Sequence, residues 1–339
     1  MSKKKVIVAF VFLCIAVVFL LIEIPKRKQY VEEQGLVFGT IYHITYENVD
    51  GKSLQLKIDS LLREVDASLS MFNPQSVIAR INRNDSLVVL DTFFTMVYTK
   101  ALEVSEASEG AFDITVAPLV NVWGFGSEKQ QEVSQNVIDS LLPFIGYTKI
   151  KLEDGKIVKD DSLIMLDASA IAKGFACDVV AKYFDRCGID NYMVEIGGEV
   201  ALKGVNSAGK AWRVGINKPM DDSTQVKNEI QEVVEIKSGG MATSGNYRNF
   251  YMKDGKKYAH IINPKTGFPV NHNLLSATII AEDCMTADAF ATACMVLGLE
   301  GSLRLCETHP NLAGFFIYDD NGVYKTAFSA NFQRYLIKK

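Results

Sequence analysis

Leu166-Asp167-Ala168-Ser169-Ala170-Ile171-Ala172-Lys173-Gly174-Phe175-Ala176-Cys177-Asp178 is the stretch whose reading decides the fold. The apolar run Ser162 to Leu166 before it reads as a buried strand. After it, Val179, Val180, Tyr183 and Phe184 recur at helical spacing. The stretch is therefore a strand–turn–helix junction. Two of its residues oppose the rules for a helix start. Lys173 falls in the first turn, where the macrodipole disfavours a cation. Gly174 costs about 1 kcal/mol against alanine. Such a start makes sense if an anion sits on it, because N–H groups at a helix N-terminus bind phosphate and a lysine adds a point charge. An ordinary junction with an exposed lysine fits the same letters.

The chain has 339 residues, 48% of them hydrophobic, and a net charge of -4. That length holds one large domain or two closely packed ones. The slightly acidic balance gives no reason to expect nucleic acid. Cys14, Cys177, Cys187, Cys284, Cys294 and Cys306 form no CxxC pair and read mostly as small buried hydrophobes. The four histidines show no HExxH-type spacing, and there is no GxGxxG after a strand and no Walker motif, which argues against a classical dinucleotide fold.

Lys3-Lys4-Lys5 precede an unbroken apolar run from Val6 to Ile22, and Lys26-Arg27-Lys28 follow it. The run reaches the lower limit for a membrane span, and no small-x-small cleavage site follows. Leu13 is bulky and the run continues past Cys14, so a lipoprotein cysteine is discounted. The expectation is a single-pass N-terminal transmembrane helix at 1–25, uncleaved, followed by a charged linker at 26–35. The folded part, 36–339, is expected on the periplasmic (extracytoplasmic) side of the cytoplasmic membrane.

Further along, Phe38 to Tyr46 alternates as a strand, and Ser53 to Leu69 repeats as a helix with Ser53 a candidate N-cap. Ser76 to Asn82 reads as a short helix or turn, residues 92–108 as another helix, and 127–139 as a polar helical connection. Asp113 stands in an apolar segment, so its carboxylate must be hydrogen-bonded or paired; a turn-capping role fits equally. Gly197-Gly198 suits a close backbone approach or a tight hairpin. Trp212 to Ile216 and Val233 to Ile236 extend the sheet. Met241 to Arg248 reads as an exposed polar loop. His260, at a strand end before a Pro-x-x-Gly turn, suits a general base, a ligand or a structural donor. Asp283 caps a small-residue helix, Met285 to Gly298, on which Asp288 and Thr292 share one face. A carboxylate and a hydroxyl suit a hard cation such as Mg²⁺, and a Thr–Asp helix pair is the ordinary alternative.

With these segments in view, the chain resembles the FAD:protein FMN transferase family, the ApbE family. The motifs run in order through Phe38-Gly39-Thr40, Ser70 to Asn82, Gly110 to Thr115 with Pro118-Leu119, and Leu166-Asp167 to Asp178. Glu195 to Gly198, Thr243 to Tyr247, His260 to Pro264 with Thr266-Gly267, and Ala287 to Ala293 continue the match. The resemblance implies an α+β fold of its own type, with mixed or antiparallel sheets packed by helices, not a Rossmann fold. It implies FAD as substrate and Mg²⁺ as metal, the latter held by the Ala170 carbonyl, Asp288 and Thr292. Phe38, Phe72, Ala111, Phe112, Asp113, Asp167, Lys173 and Ile262 are then expected to line the FAD, with His260 or Asp288 as base. The implied acceptors are membrane redox complexes, such as the sodium-pumping NADH:quinone reductase or Rnf-type subunits. An FAD pyrophosphatase giving FMN and AMP, or a non-enzymatic flavin-binding protein, is the alternative reading.

Overall fold

A computed structural model describes residues 29–126, 132–219, 229–247, 250–253 and 256–337. The expected N-terminal anchor lies outside the described residues. The expected linker at 26–35 is corrected from Gln29 onward. Strand β1 (Gln29–Val37) pairs antiparallel with β2 (Thr40–Asn48) through a two-residue turn, Phe38-Gly39, with both φ angles positive. Inward positions of β1 include Glu33, buried and accepting from the Tyr46 hydroxyl at 3.1 Å. A charge at an inward position hides the alternation that marks a strand.

Three helices follow, α1 (Gln55–Leu69), α2 (Val77–Asn82) and α3 (Thr92–Ala107). Leu54 rather than Ser53 occupies the N-cap position of α1. Two short helices, α4 (Ala117–Val122) and α5 (Gln135–Leu141), and a small ribbon, β3 (Ile150–Glu153) with β4 (Lys156–Lys159), lead to the decisive stretch. Its expected strand, 162–166, is reduced to one parallel bridge, Met165 with Val116. Side-chain bonds hold it instead. Asn82 accepts from Leu166 N–H (2.7 Å) and donates to the Leu166 carbonyl (2.8 Å), and Asp167 N–H reaches the Ile114 carbonyl (2.7 Å). Helix α6 (Ala172–Arg186) begins there.

The main sheet has the order β1-β2-β5-β6-β9-β12-β13-β14, antiparallel throughout. Its later strands are β5 (Tyr192–Ile196), β6 (Glu199–Lys203), β9 (Ser238–Gly245), β12 (Leu274–Ala281), β13 (Ala313–Asp320) and β14 (Val323–Phe328). Both faces are covered, so its central strands are apolar on alternate sides. Ala201, Ile279 and Phe316 join the large core under the helices. Val200, Leu202, Ile280, Phe315 and Ile317 join a second core under the ribbon β7 (Trp212–Asn217) and β8 (Ile230–Ile236). That ribbon forms its own two-stranded sheet rather than extending the main one.

Strand β9 is the largest correction, because Met241 to Gly245 was expected as a loop. It lies mid-sheet between β6 and β12, with Met241 and Ala242 buried. Its glycines are there for packing: a methyl on Gly240 would overlap the main chain of Asp283 and Cys284. Its polar end pairs across the strand, Thr243 with Thr278 at 2.8 Å.

Helix α7 (Cys284–Thr308) runs over the sheet and breaks where its end is expected, at Gly298 (φ 72°, ψ 179°), a non-helical kink beyond which a second helical piece carries the chain to Thr308. It is long and apolar enough to cross a membrane, but more than half of its apolar window is buried inside the fold. Asp283 caps it through Thr286 N–H (2.7 Å). A second carboxylate reaches the same end from α6: Asp178 accepts from Cys284 N–H (2.9 Å) and Met285 N–H (2.8 Å).

Burial, then the charge of Asp283, push the Asp178 carboxyl up to about 7, against the pull of its two N–H donors. The folded pKa lies above the ordinary 3.8. The contribution of Asp178 to stability is therefore full below about pH 4 and declines as pH rises to 7. Asp178→Ala should lose about 1–3 kcal/mol for each buried N–H left without an acceptor. Thermal unfolding at pH 5 and pH 8 should show a wild-type advantage that is smaller at pH 8. An advantage that grows with pH contradicts this.

Candidate active site

The site forms where α6 starts against the flank of α7. The first turn of α6 has no side-chain N-cap and no acidic residue. Its free Gly174 N–H donates to Asp288 Oδ2 at 3.0 Å. The anion on this backbone N–H is thus a carboxylate of the protein itself, not a ligand. Gly174 is explained by packing as well. A methyl there would overlap the Cys284 carbonyl and lie 2.8 Å from the Asp288 Cβ. Only glycine lets α7 pass this close.

One turn along α7 from Asp288 is Thr292, and one further is Val296; all three line a single pocket of about 500 Å³. That volume lies within the usual range for cofactor sites. The junction contributes Asp167, Ser169, Ala170 and Lys173, and Gly197 to Glu199 close the wall beside them. Ala111 to Asp113, Phe72, His260 and Ile262 line it too. Every site residue expected from the sequence is brought together here except Phe38. That residue sits at the β1–β2 turn with φ 51° and packs against the main core, while a methyl added to Gly197 would meet the side chain of Thr40, two residues on.

The charged side chains differ in how fully they are engaged. Asp113 is committed to the protein: one oxygen accepts from Thr115 N–H (2.8 Å) and hydroxyl (2.7 Å), the other from Tyr147 N–H (2.9 Å). Burial raises its pKa, and these bonds oppose the rise. Asp167 uses one oxygen on Ser169 N–H (2.7 Å). Lys173 Nζ lies 3.4 Å from Glu199 Oε1. Desolvation acts to lower the Lys173 pKa, but the charges of Glu199 and Asp288 outweigh it and the ammonium is held above its ordinary value. Burial pushes the Glu199 carboxyl up, and Asp288 adds to this.

His260 follows β11 (Lys256–Ala259), which pairs with β10 (Phe250–Lys253). Its ring packs edge-on to Phe125 at 6.3 Å between centroids. Trp123 donates to the Gly267 carbonyl (2.8 Å), tying the turn after His260 to α4.

Asp288 Oδ1 and the Thr292 hydroxyl have no hydrogen-bond partner among the described residues. Among those residues no cluster of three His, Cys, Asp or Glu could hold a metal. A single carboxylate with a hydroxyl and a main-chain carbonyl suits Mg²⁺, which keeps several waters and takes substrate phosphate oxygens to complete its shell. The buried Cys177, Cys284, Cys294 and Cys306 are free thiols, and Cys187 is exposed. Phe125, Glu199, Gly215, Asn217 and the polar end of β9 line the pocket but carry no role in the sequence reading. Glu199 had one available signal, a lone carboxylate opening an apolar strand.

The ApbE family model matches residues 38–316. A Vibrio cholerae protein named FAD:protein FMN transferase is 37% identical over 96% of this chain and 98% of its own length. An Escherichia coli protein of the same name is 35% identical, covering 90% of this chain and 89% of its own. The solved flavin transferase ApbE from Vibrio cholerae superposes with a TM-score of 0.82 at 36% identity, over 91% of this chain and all of that one.

Gly174→Ala places a methyl against a main-chain carbonyl that cannot rotate away. Overpacking of this kind costs about 1–3 kcal/mol. Calorimetry should show a lowered melting temperature, and an unchanged one would contradict the close crossing of α6 and α7.

Proposed function

The chain belongs to the ApbE family, and from that premise we propose that it transfers FMN from FAD to a Thr or Ser hydroxyl of a partner protein, with Mg²⁺ as the required metal. The charge of the pocket carries this reading. Asp113, Asp167, Glu199 and Asp288 face it with a single ammonium, Lys173, among the described lining residues. A diphosphate enters such a wall only with a further cation. Asp288, Thr292 and the Ala170 carbonyl would hold it, and a divalent ion there neutralises developing charge on phosphate oxygens as a Lewis acid.

Lys173 holds the diphosphate from the other side and stabilises the charge that develops on it. The Phe72, Ala111–Asp113 and Ile262 walls orient the FAD. The partner hydroxyl attacks the phosphorus on the FMN side, a new O–P bond forms, and the bond to the AMP phosphate breaks. AMP leaves and FMN remains on the partner as a phosphoester. His260 is the first choice to accept the hydroxyl proton. Asp288 is the second, and metal ligation would make it a poorer base. The sequence supports an N-terminal anchor with the domain on the extracytoplasmic side. There the resemblance supports redox-complex subunits of the sodium-pumping NADH:quinone reductase or Rnf type as acceptors.

Asp288→Asn keeps an acceptor for Gly174 N–H while removing the charge. FMN transfer to an acceptor domain, followed by intact mass, should fall about a hundredfold or more. Chelation should abolish transfer by the wild type, and Mg²⁺ should restore it. His260→Ala should reduce the rate by about 10²–10⁴-fold. Full transfer by Asp288→Asn, or in the presence of chelator, contradicts the metal assignment. Rapid AMP release from FAD and Mg²⁺ without acceptor, and no added mass with it, points to hydrolysis instead.

A further inference from the structure

Lys173 sits where its own helix disfavours it, in a first turn whose partial charge is positive. What holds it there comes from another element. Glu199 opens β6 directly after the Gly197-Gly198 turn, whose φ angles of 61° and 102° fold the hairpin back tightly. The hairpin then touches α6 twice on one face. Cys177 Sγ–H donates to the Glu199 carbonyl at 3.3 Å, and Lys173, four residues earlier, meets the Glu199 carboxylate at 3.4 Å. Main chain and side chain of Glu199 are thus fixed by residues one helical turn apart.

The two partners are unequal in exposure. The Glu199 side chain is 7% exposed and Lys173 is 30% exposed. Glu199 Oε2 is buried and has no hydrogen-bond partner among the described residues. Burying a carboxylate this incompletely satisfied costs free energy, which a lysine required only for packing would not justify. The ammonium has three donors, and the one spent on Glu199 leaves the others for the pocket.

We infer that Glu199 is a positioning residue: it anchors the Lys173 ammonium at the place where the diphosphate of FAD binds. The inference rests on the FMN-transfer reading and adds to it a residue that acts through another. Glu199 itself need not touch the substrate.

A double-mutant cycle tests it. Wild type, Glu199→Gln, Lys173→Met and the double variant are assayed for kcat and KM with FAD, Mg²⁺ and an acceptor domain, and for melting temperature. Glu199→Gln should lower kcat/KM at least tenfold in the wild-type background and less than twofold in the Lys173→Met background, because coupled residues are not additive. Losses that multiply, or a Glu199→Gln protein with wild-type kcat/KM, overturn the inference. Glu199→Asp, which keeps the charge on a shorter reach, should recover part of the loss. An equally stable Glu199→Asp no better than Glu199→Gln also overturns it, even if Lys173→Met does not fold. A wild type that transfers no FMN contradicts the proposed reaction instead. FAD affinity by flavin fluorescence on the same proteins, with the same expected pattern, then decides the role of Glu199.

Discussion

Two helices exchange carboxylates at their N-termini, and the rest of the site depends on that exchange. Asp178 of α6 accepts from the first N–H groups of α7, and Asp288 of α7 accepts from Gly174 in the first turn of α6. Each helix supplies an acceptor to N–H groups at the end of the other that have no intrahelical partner, beside the Asp283 cap in α7 and without any side-chain cap in α6. The exchange fixes the angle and depth at which the helices cross, and Gly174 makes the depth possible. It also leaves Asp288, Thr292 and Ala170 lining the same pocket.

The sheet beneath supplies rigidity. Its central strands are covered on both sides, by helices on one face and the β7–β8 ribbon on the other. Side chains such as Phe175 and Phe184 are fully buried, each contributing about 1.5–3 kcal/mol. Onto this frame the chain mounts a pocket whose described lining is acidic with one ammonium, and that ammonium is paired with Glu199. A pocket so charged takes an anionic ligand more readily in company with a cation, which is why the proposed reaction includes a metal.

Much of this is legible in the letters. Asp288 and Thr292 stand out because helical spacing puts two polar groups on one face of an otherwise small and apolar helix. The junction around Lys173 and Gly174 is conspicuous because it breaks two helix rules: the close helix crossing requires the glycine, Asp288 takes its N–H, and Glu199 pairs with the lysine. What stays hidden is hidden by competing demands. Strand β9 reads as a loop because its end is polar toward the pocket and its start is glycine beneath α7. Strand β1 reads as a linker because Glu33, an inward residue, pairs with Tyr46. Phe38 takes a turn position that its letter does not announce. The role of Glu199 is hard to read because its partner lies 26 positions away in sequence, at the start of α6.

A crystal of the protein grown with FAD and Mn²⁺ in place of Mg²⁺ tests the central claim most directly, through the anomalous signal of the metal. The expected result is a peak about 2 Å from Asp288, the Thr292 hydroxyl and the Ala170 carbonyl, with the diphosphate between it and Lys173. A peak on other residues, or a diphosphate bound away from the α6–α7 crossing, would contradict it.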